Sequence, residues 1–260
     1  MTAVTYDSPE ILRHFAQRKV IRYRLLSDEG SRVIREFGIL NDTVKPDSPS
    51  YGVPFPGTYV LNEKGVVTGK YFEPDYRERA TGGSILVHQF GGANGAGRQE
   101  ITTRHLKIVT SASNAIAYPG SKVTVVLEVE LPAKMHVYAP GVTGYIPVDW
   151  TVKENKTYVA APAQYPASKT LHLKAIQETV PVFEKKVRIA RDITVAQTRV
   201  LREAGVGDKL KVEGGFKYQA CDDKVCYPPQ VVPVSWEFDL QALDSSRVPE
   251  ELRKGSRVQD

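Results

Sequence analysis

Two different periodicities of apolar residues divide the chain. In the first part, apolar side chains recur at helical spacing between short apolar runs, as in residues 11–16 and 33–37. From about residue 102, apolar and polar residues alternate instead, as in residues 123–130, 210–218 and 232–240. Helical spacing predicts amphipathic helices, whereas alternation predicts strands that bury one face. The pattern therefore predicts an α/β part followed by an all-β part.

Turn and capping residues give the α/β part its expected boundaries. Ser8 and Pro9 are typical of a helix N-cap and first turn, and Gly38 is typical of a helix end. The predicted elements are strands at residues 3–6 and 23–26, helices that begin near Ser8 and Asp28, a hairpin of residues 58–61 and 66–72, and a last helix at residues 75–86. Strands that alternate with helices in this way are typical of an α/β fold.

A glycine-rich stretch separates the two parts. Residues 89–101 contain four glycines and few apolar side chains, which predicts a flexible linker. Beyond it, several alternating strands without a strong helix predict a two-sheet β-sandwich. The predicted organisation is an α/β domain at residues 1–88, a linker at 89–101, a sandwich at 102–243 and a charged tail at 244–260.

Composition and charge exclude some classes of function. The net charge of +5 comes from scattered basic residues, which disfavours nucleic-acid binding. No apolar run approaches the roughly 20 residues of a membrane helix, and no signal-like segment follows Met1, so we expect a soluble chain without membrane insertion. The histidines show no metal-ligand spacing, so we expect no metal, and no cofactor is implied. The compartment stays open between bacterial cytoplasm and periplasm.

The strongest chemical signal is a pair of cysteines. Cys221 and Cys226 are the only cysteines in the sequence, and they lie five positions apart at a predicted turn between strands. Such a pair can form and break a disulfide, which makes thiol–disulfide exchange the leading hypothesis. A structural staple is the alternative, although closing about six residues removes only about 2 kcal/mol of chain entropy. Asp222 and Asp223 oppose a thiolate at Cys221, so we expect a partner to meet Cys226.

The sequence around the cysteines resembles a known active-site loop. Residues 218–229 carry Tyr-Gln before the first cysteine and Cys-Tyr-Pro-Pro at the second, as in the N-terminal domain family of the thiol:disulfide interchange protein DsbD. The resemblance covers roughly residues 102–243. Residues 135–138 are similar to an aromatic-rich strand that faces the family's cysteines, and residues 176–183 fall near its cap loop. The resemblance implies an immunoglobulin-like sandwich.

This resemblance also implies a mechanism. The cysteine pair would pass electrons to or from a thioredoxin-like protein or domain, with Cys226 forming the mixed disulfide. An aromatic cap would shield the pair, and Phe183 is the candidate, with an ordinary core position as its alternative. The other residues expected to line the site are His136, Tyr138, Tyr218 and Tyr227.

Residues 1–88 resemble the second half of a redoxin, the AhpC/TSA or peroxiredoxin-like branch of the thioredoxin fold. The similar motifs are residues 6–10, 25–28, 37–40 and 56–61. Pro56 falls where that fold places a cis-proline beside its catalytic cysteine. Residues 1–90 contain no cysteine, so peroxidase chemistry is implied only if an upstream segment supplies one. We expect the natural protein to begin further upstream, because a missing central strand would leave unpaired edges.

The sequence therefore predicts a partial thioredoxin-like fold followed by an immunoglobulin-like β-sandwich, acting as a thiol–disulfide oxidoreductase. The alternative is a non-catalytic adaptor, in which the disulfide is structural and the degenerate redoxin part only binds another protein. The reduction potential of the cysteine pair separates the two hypotheses, since structural disulfides are hard to reduce.

Overall fold

The computed structural model describes residues 1–73, 75–92, 96–173, 177–222, 224–244, 246 and 249–252. The chain forms two compact units: Met1–Thr58 with the C-terminal segment from Asp244, and Tyr59–Leu243. The sequence instead predicts a boundary near residue 88. The structure therefore places about thirty residues of the predicted α/β domain in the same unit as the sandwich. No helix in the described part is long and apolar enough to span a bilayer.

The first unit contains a pair of parallel strands and two helices. Its elements are β1 (Thr2–Thr5), α1 (Pro9–Arg18), β2 (Arg24–Ser27) and α2 (Arg32–Glu36). Ser8 caps α1 by accepting a hydrogen bond from the N–H of Ile11 at 3.4 Å. Asp28 accepts hydrogen bonds from the N–H groups of Arg32 and Ile34 at the start of α2. The four elements predicted from the sequence are confirmed.

Pro56 does not have the cis peptide bond that the redoxin resemblance implies. Every peptide bond among the described residues is trans. The trans isomer is favoured intrinsically by about 0.5–1 kcal/mol, and Pro56 directly precedes strand β3 (Gly57–Leu61), a position that proline tolerates. The assignment of Pro56 as a cis-proline is wrong.

The second unit begins with a hairpin and a helix. The hairpin pairs β3 with β4 (Val67–Phe72), as predicted. The predicted helix at residues 75–86 is instead the short strand β5 (Arg79–Ala80) followed by helix α3 (Gly82–Phe90). The helix begins late because the hydroxyl of Thr81 caps it by accepting from the N–H of Ser84 at 3.1 Å.

Helix α3 covers the outer face of the largest sheet. Val87 packs with Val126 and Ala190 of that sheet, all three nearly inaccessible to solvent. The hydroxyl groups of Ser84 and Thr124 lie 2.6 Å apart. These contacts give the physical reason why the helix belongs to the sandwich unit.

Part of the predicted linker is also a strand of this sheet. Strand β6 (Ala96–Thr102) pairs with β7 (Lys107–Ala112), and Ile101 lies opposite Ile108. Backbone hydrogen bonds at a sheet edge do not require buried side chains, so the glycine-rich composition conceals the strand. The linker prediction is wrong for these residues, and residues 93–95 lie outside the described part.

The remaining strands build the sandwich. They are β8 (Ile116–Ala117), β9 (Ser121–Glu130), β10 (His136–Tyr138), β11 (Asp149–Val152), β12 (Tyr158–Ala160), β13 (Lys169–Leu173), β14 (Glu178–Glu184), β15 (Lys186–Val195), β16 (Lys209–Tyr218), β17 (Ala220–Cys221) and β18 (Gln230–Leu240), with helix α4 (Thr198–Glu203) between β15 and β16. The six-stranded sheet has the order β12-β15-β9-β7-β6, with β5 beside β9. Two four-stranded sheets have the orders β11-β16-β18-β8 and β13-β14-β10-β17.

Alternate residues of these strands form one large apolar core. Val123, Val125 and Leu127 of β9 are fully buried in it. The rings of Trp150 and Trp236 meet with centroids 5.4 Å apart. The predicted class, a β-sandwich with a partial redoxin-like α/β part, is confirmed.

Candidate functional site

The two cysteines form a disulfide at the edge of the four-stranded sheet β13-β14-β10-β17. Cys221 ends β17 and lies opposite His136 of β10. Its exposed fraction is only 1%, whereas Cys226 is exposed in the turn that follows. Residue Cys221 therefore belongs to the sheet interior, and residue Cys226 lies at the surface.

The turn between the cysteines is closed by hydrogen bonds that do not involve sulfur. The N–H of Asp222 donates to the carbonyl of Val225, and the N–H of Tyr227 donates to that of Ala220, both at 2.9 Å. The Asp222 Oδ1 atom accepts from the N–H groups of Lys224 and Val225, each at 2.8 Å. A short side-chain acceptor of this kind is the usual way for aspartate to stabilise a turn.

The charge of Asp222 is fixed by the same contacts. Backbone hydrogen bonds from Lys224 and Val225, and one from the Tyr227 hydroxyl at 2.9 Å, lower the pKa of Asp222. The bond to Asp222 raises the pKa of Tyr227. Asp222 is therefore a structural anion of the turn as well as a neighbour of the thiol. Asp223, the second acidic residue expected to oppose a thiolate at Cys221, lies outside the described residues.

An aromatic wall lies beside the sulfur of Cys226. The hydroxyl of Tyr138 lies 3.6 Å from Sγ of Cys226. The Tyr138 ring stacks on Tyr145, with centroids 4.4 Å apart, and the His136 ring meets it edge-on at 5.6 Å. Tyr138 and His136 are the two residues of β10 that the sequence assigned to the site, and the structure places both on the face that carries the disulfide.

Tyr145 and Glu178 extend this wall and were not predicted from the sequence. The Tyr145 hydroxyl donates to Oε2 of Glu178 at 2.6 Å, which raises the pKa of Tyr145 to about 12. Burial, with a smaller contribution from the charge of Glu178, raises the pKa of Tyr138. Tyr145 lies in a loop that carries two glycines and two prolines between residues 139 and 148, where no periodicity marks any residue. The only sequence feature that singles out Tyr145 is that no other residue of this loop is aromatic.

Phe183 is not the aromatic cap. It lies opposite Val137 in the pairing of β14 with β10, and it is 4% exposed within the main core, where its ring stacks on Tyr165. Successive side chains of a strand point to opposite faces, so Phe183 points away from the face that carries Cys221. The alternative of a core residue is the correct one. Residue 176, where the expected cap segment begins, lies outside the described residues.

The two tyrosines that flank the cysteines have different surroundings. Tyr218 is fully buried in the main core, where its hydroxyl lies 2.9 Å from Oγ1 of Thr103 and 2.7 Å from Oε1 of Gln230. Tyr227 stacks on the ring of His105 at 4.2 Å and supports the turn through Asp222. The structure therefore brings Tyr227 to the site and leaves Tyr218 in the core.

The chemistry available here is that of the sulfur pair. The described residues contain no group of three or more His, Cys, Asp or Glu side chains arranged to hold a metal ion. A disulfide between an exposed cysteine residue and a buried one suits attack by an external thiolate. The roles of the individual wall residues stay predictions.

Two family models match the chain. One, for the N-terminal domain of the thiol:disulfide interchange protein DsbD, matches residues 106–235, and the other, for the AhpC/TSA family, matches residues 1–70. No curated protein matches the chain.

Solved structures of similar domains also match. The N-terminal periplasmic domain of ScsB from Proteus mirabilis is 13% identical, with a TM-score of 0.38, over 55% of this chain and 51% of that one. The DsbD N-terminal domain of Neisseria meningitidis in its reduced form is 13% identical, with a TM-score of 0.31, over 45% of this chain and 82% of that one. The chain thus spans about half the length of the ScsB structure.

The two family matches divide the chain much as the two resemblances do. The AhpC/TSA match ends within β4, and the DsbD match covers both cysteines, the aromatic strand β10 and most of the sandwich. Together with the disulfide, these matches support a thiol–disulfide redox role. The model for the DsbD N-terminal domain matches half of the residues of this chain, so the chain belongs to the family of DsbD N-terminal domains.

Proposed function

We propose that this protein relays electrons through the Cys221–Cys226 pair, to or from a thioredoxin-like partner. The observation that carries the proposal is the asymmetry of the two cysteine residues, because Cys226 is exposed whereas Cys221 is 1% exposed. A protein thiolate can approach only a sulfur at the surface. Cys226 is therefore the attacked atom and Cys221 the leaving atom.

The exchange proceeds in two balanced steps. A thiolate of the reduced partner attacks Sγ of Cys226, the Cys221–Cys226 bond breaks, and Cys221 leaves as a thiolate that takes up a proton. The partner's second thiolate then attacks the partner's own sulfur in the mixed disulfide and releases Cys226. Two electrons and two protons pass to this chain, and the partner is left with a disulfide. The same steps in reverse reduce an oxidised partner.

The hydrogen bonds of the turn support this cycle. The bonds donated by the N–H groups of Asp222 and Tyr227, and the bond that the Asp222 carboxylate accepts from the Lys224 N–H, remain possible after the sulfur–sulfur bond breaks. Reduction then leaves Cys226 in nearly the same place, which favours a rapid return to the disulfide. A loop held only by its disulfide would lose that geometry.

The alternative function is that of an adaptor with a structural disulfide. The observation in its favour is the burial of Cys221 in an apolar cluster with Tyr138, Val180 and Val182, where a thiol would be inert. Peroxidase chemistry is not proposed, because no cysteine precedes Cys221 in this chain.

Trapping of the mixed disulfide tests the proposal. The probe is a bacterial thioredoxin whose resolving cysteine is replaced by serine and whose nucleophilic cysteine carries a thionitrobenzoate leaving group. The Cys221→Ser variant, which keeps the exposed Cys226, is expected to release the chromophore at least about tenfold faster than Cys226→Ser, because exchange rates follow access. As a control, both variants also react with free dithionitrobenzoate, a small disulfide, in place of the thioredoxin probe. Equal rates with the protein probe, or faster reaction of Cys226→Ser, would contradict the proposed order of attack.

A further inference from the structure

We propose that Tyr138 is a positioning residue that sets the reactivity of Cys226, by donating a hydrogen bond from its hydroxyl to the Cys226 thiolate of the reduced protein. The consequence for electron relay rests on the proposed function. The interaction itself requires only that the disulfide can be reduced.

The geometry of the oxidised protein already assigns the donor. The Tyr138 hydroxyl lies 3.6 Å from Sγ of Cys226, within hydrogen-bonding reach of sulfur. Neither sulfur of a disulfide carries a hydrogen, so the hydroxyl must donate. Among the described residues, this hydroxyl has no other hydrogen-bond partner. The hydrogen bond is therefore available to whichever form of sulfur accepts it best.

The ring that carries this hydroxyl is held before the sulfur becomes charged. Tyr138 is 1% exposed, stacks on Tyr145 and meets the edge of His136. Its main chain is fixed in β10, between β14 and β17. A donor that is already in place loses little conformational entropy when the thiolate forms, so most of the interaction energy goes into stabilising the charge.

The phenol also stays protonated where a thiolate forms. Burial, and to a smaller extent the charge of Glu178, raise the pKa of Tyr138 above its usual value near 10. A cysteine thiol ordinarily ionises near pH 8.5. Glu178 stays near the ring because it accepts the hydrogen bond of Tyr145 at 2.6 Å. Burial, with the charge of Glu178 as the smaller contribution, thus keeps Tyr138 a donor and not an anion.

Several charged groups besides Tyr138 influence the pKa of Cys226. The carboxylates of Glu178, beside Tyr145, and of Asp222, in the same turn, oppose a thiolate at Cys226, whereas the ammonium group of Lys224 favours it. The His136 ring lies on the same face, opposite Cys221. The absolute pKa of Cys226 therefore reports a balance of several groups. The difference made by one hydroxyl isolates the contribution of Tyr138.

This hydrogen bond changes both steps of the exchange. A charged acceptor gains more from a donor than a neutral sulfur does, so the bond stabilises the reduced form relative to the disulfide. It also lowers the pKa of Cys226, which makes Cys226 a better leaving group when the mixed disulfide is resolved. Loss of the hydroxyl is expected to make the pair harder to reduce and its mixed disulfide slower to resolve.

The test is the pH profile of alkylation of Cys226 by iodoacetamide. In the Cys221→Ser protein, adding Tyr138→Phe is expected to raise the Cys226 pKa by about one unit, a roughly tenfold loss of thiolate below the pKa. The matched control is Tyr145→Phe in the same protein, which removes a hydroxyl from the stacked ring without touching sulfur. We expect a shift below about 0.3 unit for the control, since its effect is indirect.

Each outcome has one meaning. A Cys226 pKa that is unchanged in Tyr138→Phe overturns the inference. An equal shift in Tyr145→Phe also overturns it, because packing of the rings would then explain both shifts. A urea melt verifies folding. If Tyr138→Phe does not unfold cooperatively, Tyr138→Met replaces it, with the same expected shift, because methionine fills the space without a hydroxyl. The redox titration of the unsubstituted protein reports on the proposed function separately, because a pair that resists reduction leaves the pKa comparison intact.

Discussion

Breaking the disulfide should leave the sandwich folded and only slightly less stable. Reduction opens a loop of about six residues, for which the chain-entropy model gives about 2 kcal/mol. This value is an upper limit here, because the hydrogen bonds of Asp222 and Tyr227 still close the turn. The core contributes far more, since more than two dozen buried residues form a cluster that contains neither cysteine.

Urea unfolding of the oxidised and the reduced protein measures this directly. Tryptophan fluorescence follows the transition, because Trp150 and Trp236 lie at the centre of the core. We expect two parallel transitions whose free energies of unfolding differ by about 2 kcal/mol or less. A double variant, Cys221→Ala with Cys226→Ala, controls for effects of the reductant. A loss above about 4 kcal/mol, or an unfolded reduced protein, would exceed what loop closure can supply and would refute the reasoning.

Three further predictions test the turn, a buried hydrogen bond between β9 and β15, and the position of Phe183. The lowered pKa of Asp222 means that its carboxylate stabilises the turn above its unfolded-state pKa and loses this effect as the pH falls through the folded value. The protection of the Val225 amide against hydrogen exchange, relative to an unstructured amide at the same pH, should therefore be constant near pH 5 and fall below about pH 3.8; constant protection down to pH 2 would contradict this. Thr124→Val removes a buried hydroxyl that donates to the Asp192 carboxylate at 2.6 Å, so urea melts should show a loss of about 1.5–3 kcal/mol, whereas Thr124→Ser keeps the donor and should lose less; equal losses would mean that the methyl group matters more than the hydrogen bond. Phe183→Ala should destabilise the protein by about 3–5 kcal/mol without increasing the alkylation rate of the exposed thiol in the folded, reduced protein; faster alkylation with little loss of stability would restore Phe183 as a cap.

The sequence predicted the elements whose residues show a clear period or a clear boundary. The alternation in residues 123–130, 210–218 and 232–240 corresponds to β9, β16 and β18, because each of these strands buries one face in the main core. Capping residues located the helices of the first unit for the same kind of local reason. Local chemistry decides such elements before the tertiary structure does.

The failures share a physical cause, which is that contacts with other strands, and not the local apolar pattern, decided the outcome. Strand β6 has exposed side chains and is held by backbone bonds to β7, so its composition resembles that of a linker. Helix α3 joins the sandwich because Val87 meets two residues that lie far along the chain. Neither contact leaves a trace in the local pattern.

The candidate site divides in the same way. The cysteine pair could be located from its spacing, and Tyr138 from the resemblance of its strand to the family's aromatic strand. The face on which Phe183 lies depends on the register of β14 with β10, and a shift of one residue would reverse it. The contact of Tyr145 with Glu178 joins a loop to a strand 33 residues later, which no local signal reports.

The most direct test of the proposed relay is the reduction potential of the Cys221–Cys226 pair. The oxidised protein is equilibrated with a series of dithiothreitol or glutathione buffers, and the two thiols are counted by alkylation and mass spectrometry. A pair that exchanges electrons with thioredoxin-like partners should have its midpoint near thioredoxin's, about −270 mV, or above it. A pair that stays oxidised until below about −300 mV would behave as a structural disulfide and would contradict the proposed relay.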